Sequence, residues 1–186
     1  MKNIDTIDAC DACDTFDTSH TSVEELVIHI ATQTLILYQD KVEISRYKIS
    51  TAKNGVGSQQ DSGCTPVGRH IIAEKIGGDH PIDTVFVGRV ATGERYTTAL
   101  GAQYPERDWI LSRILWLKGL EMGVNQGRNS QGGCDTYQRY IYIHGTPDSE
   151  PMGVPLSHGC IRMRNEDIVA LYPQVKEGTP VTLIEA

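Results

Sequence analysis

Two short β-forming runs, residues 26–30 (LVIHI) and 34–38 (TLILY), are separated by only Ala31, Thr32 and Gln33. Branched and aromatic side chains fit a half-buried pleated surface, and a three-residue link of this kind reads as a hairpin. Asp40-Lys41 marks a second turn. After it, Val42, Ile44, Arg46 and Lys48 alternate with Glu43, Ser45, Tyr47 and Ile49 in a weaker period-two pattern. Three consecutive strands are therefore expected from residue 23 onward. The 18 Gly and 8 Pro supply many turns, and only two Phe and two Trp leave Val, Ile and Leu to fill the core. This composition favours short strands joined by loops over a helical bundle.

Residues 51–69 are rich in Gly, Ser and Asn and read as a long loop, of the kind that often carries function. Residues 70–76 and 84–90 read as strands, with the turn at 77–81 between them. Residues 105–121 (PERDWILSRILWLKGLE) give the strongest helical pattern: Ile110, Ile114 and Leu117 share one face, with Leu111 and Leu115 beside it. Pro105 suits the start of such a helix and Gly123 its end. Trp109 and Trp116, seven apart, would share a face as core or lid residues. Residues 140–144 read as a short strand ending on a histidine. Residues 165–172 read as a short helix capped by Asn165, with Glu166 and Asp167 in its first turn. Gly178-Thr179-Pro180 then turns the chain into a last strand, 181–184.

The chain has 186 residues, the size of one ordinary domain, with 39% hydrophobic and 22% charged residues, as in a globular protein with a true core. Residues 1–22 stand apart. Asp5, Asp8, Asp11, Asp14 and Asp17 recur every third position, which reads as a solvated, disordered acidic tail ahead of a single domain at 23–186. Cys10 and Cys13 form one CxxC there, but His20 is the only further ligand nearby, short of a zinc set. A net charge of −7 makes phosphate-backbone binding a poor fit, so no nucleic-acid partner is expected. No run approaches the ~18 apolar residues of a membrane span. The acidic beginning also lacks the basic start and apolar core of a secretory signal. A cytoplasmic location is expected on that reading, or a periplasmic or cell-wall one if an export signal has been removed. Five cysteines, an odd number, argue against a disulfide framework.

The chemistry concentrates in residues 140–163 (YIYIHGTPDSEPMGVPLSHGCIRM). A cysteine is a nucleophile only as its thiolate, so Cys160 needs a base or a positive field. His144, at the end of its strand, and His158, two residues before the thiol, are both candidates. Gly159 allows a tight turn, and the amides of Gly159 and Cys160 could face a developing oxyanion. Two other readings remain open on spacing alone: an inert buried thiol, or a metal held by His144, His158 and Cys160.

The residues His144-Gly145-Thr146, Gly153 and Ser157-His158-Gly159-Cys160-Ile161-Arg162-Met163 resemble the signature of the L,D-transpeptidase (YkuD) family. Thr65-Pro66-Val67-Gly68 resembles the family's TPxG element, and the closing short helix and Gly-Thr-Pro-Val strand are also similar. The likeness covers roughly residues 23–185. It implies a mainly β fold, a sandwich or flattened barrel of mixed strands with one or two helices. It also implies peptidoglycan stem peptides or recycled muropeptides as partners. Cys160 would attack the carbonyl of the third residue at its L-centre, usually diaminopimelate, and the terminal D-Ala would leave. His144 would be the base. His158, Gly159 and Cys160 would offer backbone donors to the oxyanion, Ser157 would fix the loop, and Gly145 and Arg162 would bind substrate or brace the site. Carbapenem acylation of Cys160 is a further implication. No metal or other cofactor is required, because a thiol with a histidine base suffices. Passing the acyl group to an amine makes the enzyme a transpeptidase; passing it to water makes it an L,D-carboxypeptidase, the expectation for a cytosolic chain. The alternative is a non-catalytic protein that binds peptidoglycan fragments on the same fold.

Overall fold

The structure is a computed structural model that describes residues 23–186. The acidic segment 1–22, with Cys10, Cys13 and His20, lies outside the described residues. The strands are β1 (Glu24–His29), β2 (Thr34–Gln39), β3 (Val42–Ser50), β4 (Gly68–Ile76), β5 (Thr84–Val87), β6 (Val90–Arg95), β7 (Ile110–Gly119), β8 (Arg128–Asn129), β9 (Gly132–Gly133), β10 (Tyr142–Thr146), β11 (Ile161–Arg164) and β12 (Pro180–Ile184). Two helices, α1 (Thr98–Gln103) and α2 (Asn165–Leu171), accompany them.

The opening meander forms as its pattern requires. β1 pairs antiparallel with β2, and β2 with β3. Asp40 and Lys41 both take positive φ, 50° and 68°, as a two-residue hairpin turn matching the strand twist demands. The sheet then runs β10-β11-β3-β2-β1-β12-β4-β7, and β7 pairs back onto β10. These eight strands therefore close on themselves as a barrel. β1–β12 and β10–β11 are parallel and the other pairings antiparallel, so the barrel is mixed. β5 continues from β7 beyond the end of β4, and β6 pairs with β5. The interior is filled by Leu26, Ile28, Leu115, Leu117, Ile143 and Ile161 among others, all fully buried. The mainly β, flattened-barrel expectation thus matches the structure.

Residues 105–121 do not form a helix. The segment contains β7, a central strand paired with β4 on one side and with β10 on the other. Leu115 and Leu117 face the barrel interior, while Ile114 and Trp116 belong to a second apolar cluster with Phe86 and Tyr142. A strand buried on both faces shows no apolar–polar alternation. Ser112 also adopts φ 64° at a register shift opposite His144 and Gly145, which disturbs the period further. Trp109 and Trp116 do not share a face: Trp109 packs with Val85 and Leu111, and Trp116 stacks on Tyr137.

Other corrections are local. Residues 84–90 are not one strand, because Gly88 and Arg89, with φ 55° and 69°, turn β5 into β6. The helix α1 falls in a stretch with no amphipathic signal; Thr97 caps it by accepting from the Leu100 amide. The helix at 165–171 forms where expected, but Asn165 is its first residue, not its cap. The Asn165 carboxamide accepts from Ser112 Oγ at 2.7 Å and donates to Asp83 Oδ1 at 2.9 Å. It ties α2 to the bulge of β7 and to the approach of β5.

Leu117→Ala should lower stability by about 2–5 kcal/mol through lost burial and the cavity left behind. The readout is a lower urea midpoint at unchanged slope, against a shift under about 0.5 kcal/mol for the exposed Val42→Ala. A second prediction concerns His70. Its Nδ1 donates to the Gly68 carbonyl, its Nε2 accepts from Thr136 Oγ1, and burial pulls its pKa down from 6.5 to about 4. The unfolded chain therefore takes up that proton first. Stability from this group is complete above pH 6.5 and is lost as pH falls toward 4, by about 3 kcal/mol over the window. Urea melts of the protein and of His70→Gln should show a shallower loss in the variant; parallel slopes would contradict the assignment.

Candidate active site

The parallel register of β10 and β11 sets Ile143 opposite Ile161 and His144 opposite Arg162. Side chains alternate across a strand. Ile143, Ile161 and Met163 thus enter the barrel core, and Tyr142, His144 and Arg162 share the other face. Cys160, one residue before β11, continues that alternation: the Tyr142 amide donates to its Sγ at 3.4 Å, and the thiol lies 3.4 Å from the Tyr140 carbonyl. It packs against the Phe86, Ile114, Trp116 and Tyr142 cluster on the outside of the barrel.

His144 is buried, and its Nδ1 lies 2.8 Å from the Gly145 carbonyl. A carbonyl only accepts, so Nδ1 carries the proton and Nε2 keeps a basic lone pair. Burial pulls the His144 pKa below its ordinary value, with Asp108 and the Gly145 carbonyl opposing. Burial likewise pushes the Cys160 thiol up to about 12, against the Tyr142 amide. Both shifts have one cause: each group is held neutral by removal from water. Both shifts favour the neutral thiol and the neutral imidazole.

The loop before Cys160 is clamped from several directions. Ser157 Oγ donates to the Cys160 carbonyl at 2.6 Å and accepts from the Gly159 amide at 3.2 Å. The Ser157 backbone exchanges hydrogen bonds with Thr51 and Lys53. Thr65 Oγ1 donates to the Gly159 carbonyl at 2.9 Å and accepts from the Ala52 amide at 3.0 Å. The expected TPxG element therefore holds the loop before Cys160. Gly159 has φ 135°, and a Cβ there would meet Ile141 and the Cys64 carbonyl, so glycine is required. In the free protein the Gly159 amide, expected to face an oxyanion, donates to Ser157 Oγ.

Arg162 is buried, and its guanidinium bonds Asp108 at 2.7 Å and Glu150 at 3.2 Å. His158 is exposed and lies with Nδ1 3.3 Å from the other Asp108 oxygen. Burial alone would raise Asp108, but His144, Arg162 and His158 outweigh it and hold its carboxyl below the usual range. Gly145 is buried: a Cβ would collide with Asn165 Oδ1 and the Leu111 carbonyl. It shapes the site through its backbone.

Sequence reasoning missed Asp108, Glu150 and Tyr142. Asp108 lay inside the segment misread as helix, and Glu150 in a loop without a motif. Arg139 donates to the Gly57 and Cys64 carbonyls at 3.1 and 2.6 Å. Cys64 and Cys134 are free thiols; Cys134 is buried beside the Gln126 and Gly127 carbonyls. Among the described residues no cluster of three or more His, Cys, Asp or Glu side chains is arranged to hold a metal ion.

The model of the YkuD family, described as the L,D-transpeptidase catalytic domain, matches residues 24–183. The chain is 47% identical over 47 residues to the probable L,D-transpeptidase YbiS of Escherichia coli strain K12, covering 25% of this chain and 15% of that protein. It is 37% identical over 65 residues to the putative L,D-transpeptidase YkuD of Bacillus subtilis strain 168, covering 32% of this chain and 40% of that one. The matched stretches are thus less than half of either relative. Its fold is similar to that of an L,D-transpeptidase from Mycobacterium smegmatis, with a TM-score of 0.52 at 18% identity, over 88% of this chain and 59% of that one. L,D-transpeptidase 3 from Mycobacterium tuberculosis, solved with a faropenem-derived adduct, gives 0.53 at 18% identity, over 88% and 61%. With the family model spanning nearly all the described residues, the chain belongs to the YkuD family of L,D-transpeptidase catalytic domains.

Proposed function

We propose that this domain is a cysteine acyltransferase acting on the bond between the L-centre of diaminopimelate and the terminal D-Ala of peptidoglycan tetrapeptides. The observation that carries this reading is the shared outer face of Tyr142, His144, Cys160 and Arg162, with His144 fixed as the Nδ1-protonated tautomer.

His144 Nε2 takes the Sγ proton as Sγ attacks the carbonyl carbon. The thiolate forms during attack and not before it, since both groups rest neutral. The oxyanion is met by the amides of His158 and Cys160. Collapse breaks the C–N bond, and His144 returns its proton to the departing D-Ala amine. The thioester is then attacked by an acceptor amine or by water, which His144 deprotonates, and Cys160 leaves as the reprotonated thiol. Ser157 and Thr65 hold the loop, Gly145 aligns the imidazole through its carbonyl, and Arg162 braces Asp108 beside His144. Metal and cofactor are not needed for any step. The transpeptidase outcome rests on the family; the water outcome, an L,D-carboxypeptidase, uses the same acyl-enzyme. Among the described residues no helix is long and apolar enough to cross a membrane.

Incubation with a diaminopimelate tetrapeptide, with and without excess D-amino acid, tests the reading by product mass. Cys160-dependent loss of D-Ala supports it, and exchange against hydrolysis identifies the acceptor. Turnover that survives in Cys160→Ala would refute it, and binding without turnover would favour a fragment-binding protein.

Two predictions follow from the mechanism. A carbapenem should add once, on Cys160, by peptide mass mapping; an adduct on Cys64 or Cys134 would contradict the assignment. The rate of that acylation should hold above neutral pH and fall on the acid side, with a midpoint below 6.5, because His144 is active only when deprotonated and its pKa is lowered. A midpoint above 7 would count against His144.

A further inference from the structure

Beside the thiol lies a cleft of about 450 Å³ lined by Gln60, Arg89, Trp116, Tyr137, Gln138 and Tyr140. Arg89 sits at the tip of the β5–β6 hairpin. Its guanidinium lies 4.5 Å over the Trp116 ring and 4.9 Å from the Tyr140 ring, and it donates to the Tyr142 hydroxyl at 3.1 Å. Trp116 in turn stacks on Tyr137 at 3.9 Å. No carboxylate lines the cleft, and none of the ion pairs among the described residues involves Arg89. The Glu74 carboxylate, behind Tyr137, is bonded by the Tyr137 hydroxyl. An arginine spread on aromatic faces, with most of its donors unused in a chain of net charge −7, is a site for an anion.

The position of the cleft decides which part of the substrate it holds. Tyr142 spans the distance: its backbone amide meets Sγ and its hydroxyl meets Arg89. The thiol contacts the backbone of Tyr140 and Tyr142, and His144 lies two residues farther along β10, opposite Arg162 and away from the Tyr137–Tyr140 end of the cleft. The leaving amine must be on the His144 side to receive its proton. The acyl-donor residue therefore extends the opposite way, along Tyr142 and into the cleft.

We propose that Arg89 and the Trp116–Tyr137–Tyr140 shelf form the subsite for the side chain of the acyl-donor residue, and that Arg89 selects a side chain ending in a carboxylate. The proposal rests on the acyl-transfer reading above and deepens it. The methylenes between the two centres of diaminopimelate have about the reach of a tyrosine side chain. They lie on the aromatic faces, while the D-centre carboxylate takes the guanidinium donors.

The test uses two tetrapeptides that differ only at the D-centre, one with a free carboxylate and one with a carboxamide. Binding is measured by calorimetry on the Cys160→Ala protein, so that it does not depend on turnover. The carboxylate peptide should bind at least about ten-fold tighter, as a charge-assisted contact implies. In Arg89→Gln on the same background the two peptides should bind within about two-fold of each other, and Arg89→Lys should keep part of the preference. Equal binding of the two peptides to the Cys160→Ala protein, a preference that survives in Arg89→Gln, or equal loss of both peptides in that variant would overturn the subsite. D-Ala release from both peptides by the protein with Cys160 intact is scored separately. Failure there with an Arg89-dependent preference removes the acyl-transfer reading and leaves the subsite. Release with an Arg89-independent choice does the reverse.

Discussion

The parallel pairing of β10 with β11 decides which side chains of residues 142–146 and 160–164 meet the core and which meet the solvent-side cluster. Ile143, Ile161 and Met163 are drawn inward by burial, and this fixes the register more firmly than any contact between the polar groups. A slip of one residue would exchange the two sets, driving His144 and Arg162 into the barrel and the isoleucines out of it. Apolar packing on one face thus sets the position of the chemistry on the other. The parallel pairing also requires a long return between the two strands. That return, residues 147–160, brings both Glu150 and the Ser157–Cys160 turn to the site.

Burial then sets the character of the site. His144 is buried and Cys160 half-buried, and burial moves the one pKa down and the other up. Asp108 works against this at His144 without abolishing it. In the proposed mechanism the pair stores no thiolate at rest and moves its proton only when an electrophile arrives. A free thiol that rests protonated is also less open to oxidation, because the thiolate is the reactive form. The clamp on the loop, through Ser157, Thr65 and the 51–53 segment, keeps Cys160 in place without using its own side chain.

Much of this was legible in the sequence where the signal is local. The β1–β3 meander follows from alternation and two turns, and the His and Cys of the site follow from a motif whose residues stand at fixed spacing. Gly159 was legible as a turn residue, though its amide has a different partner from the one expected. The failures share a physical origin. β7 is covered on both faces, and its bulge at Ser112 breaks the period, so its apolar residues imitate a helical stripe. Asn165 looks like a cap, yet its carboxamide serves two distant residues, Ser112 and Asp83. Glu150 comes from the loop between β10 and β11, whereas Asp108 and Arg89 reach the site only through the closure of the barrel and the turn of β5 into β6. No local pattern marks contacts made across 50 residues of chain.

The account stands on the protonation state of one ring. Nitrogen NMR of the histidine side chains in the free protein at pH 7, with His144→Gln to assign the resonances, reads it directly. His144 should appear as a neutral imidazole with the proton on Nδ1 and an unprotonated Nε2. A cationic ring, which would mean a preformed thiolate–imidazolium pair, or a neutral ring carrying its proton on Nε2, would contradict the mechanism at its first step.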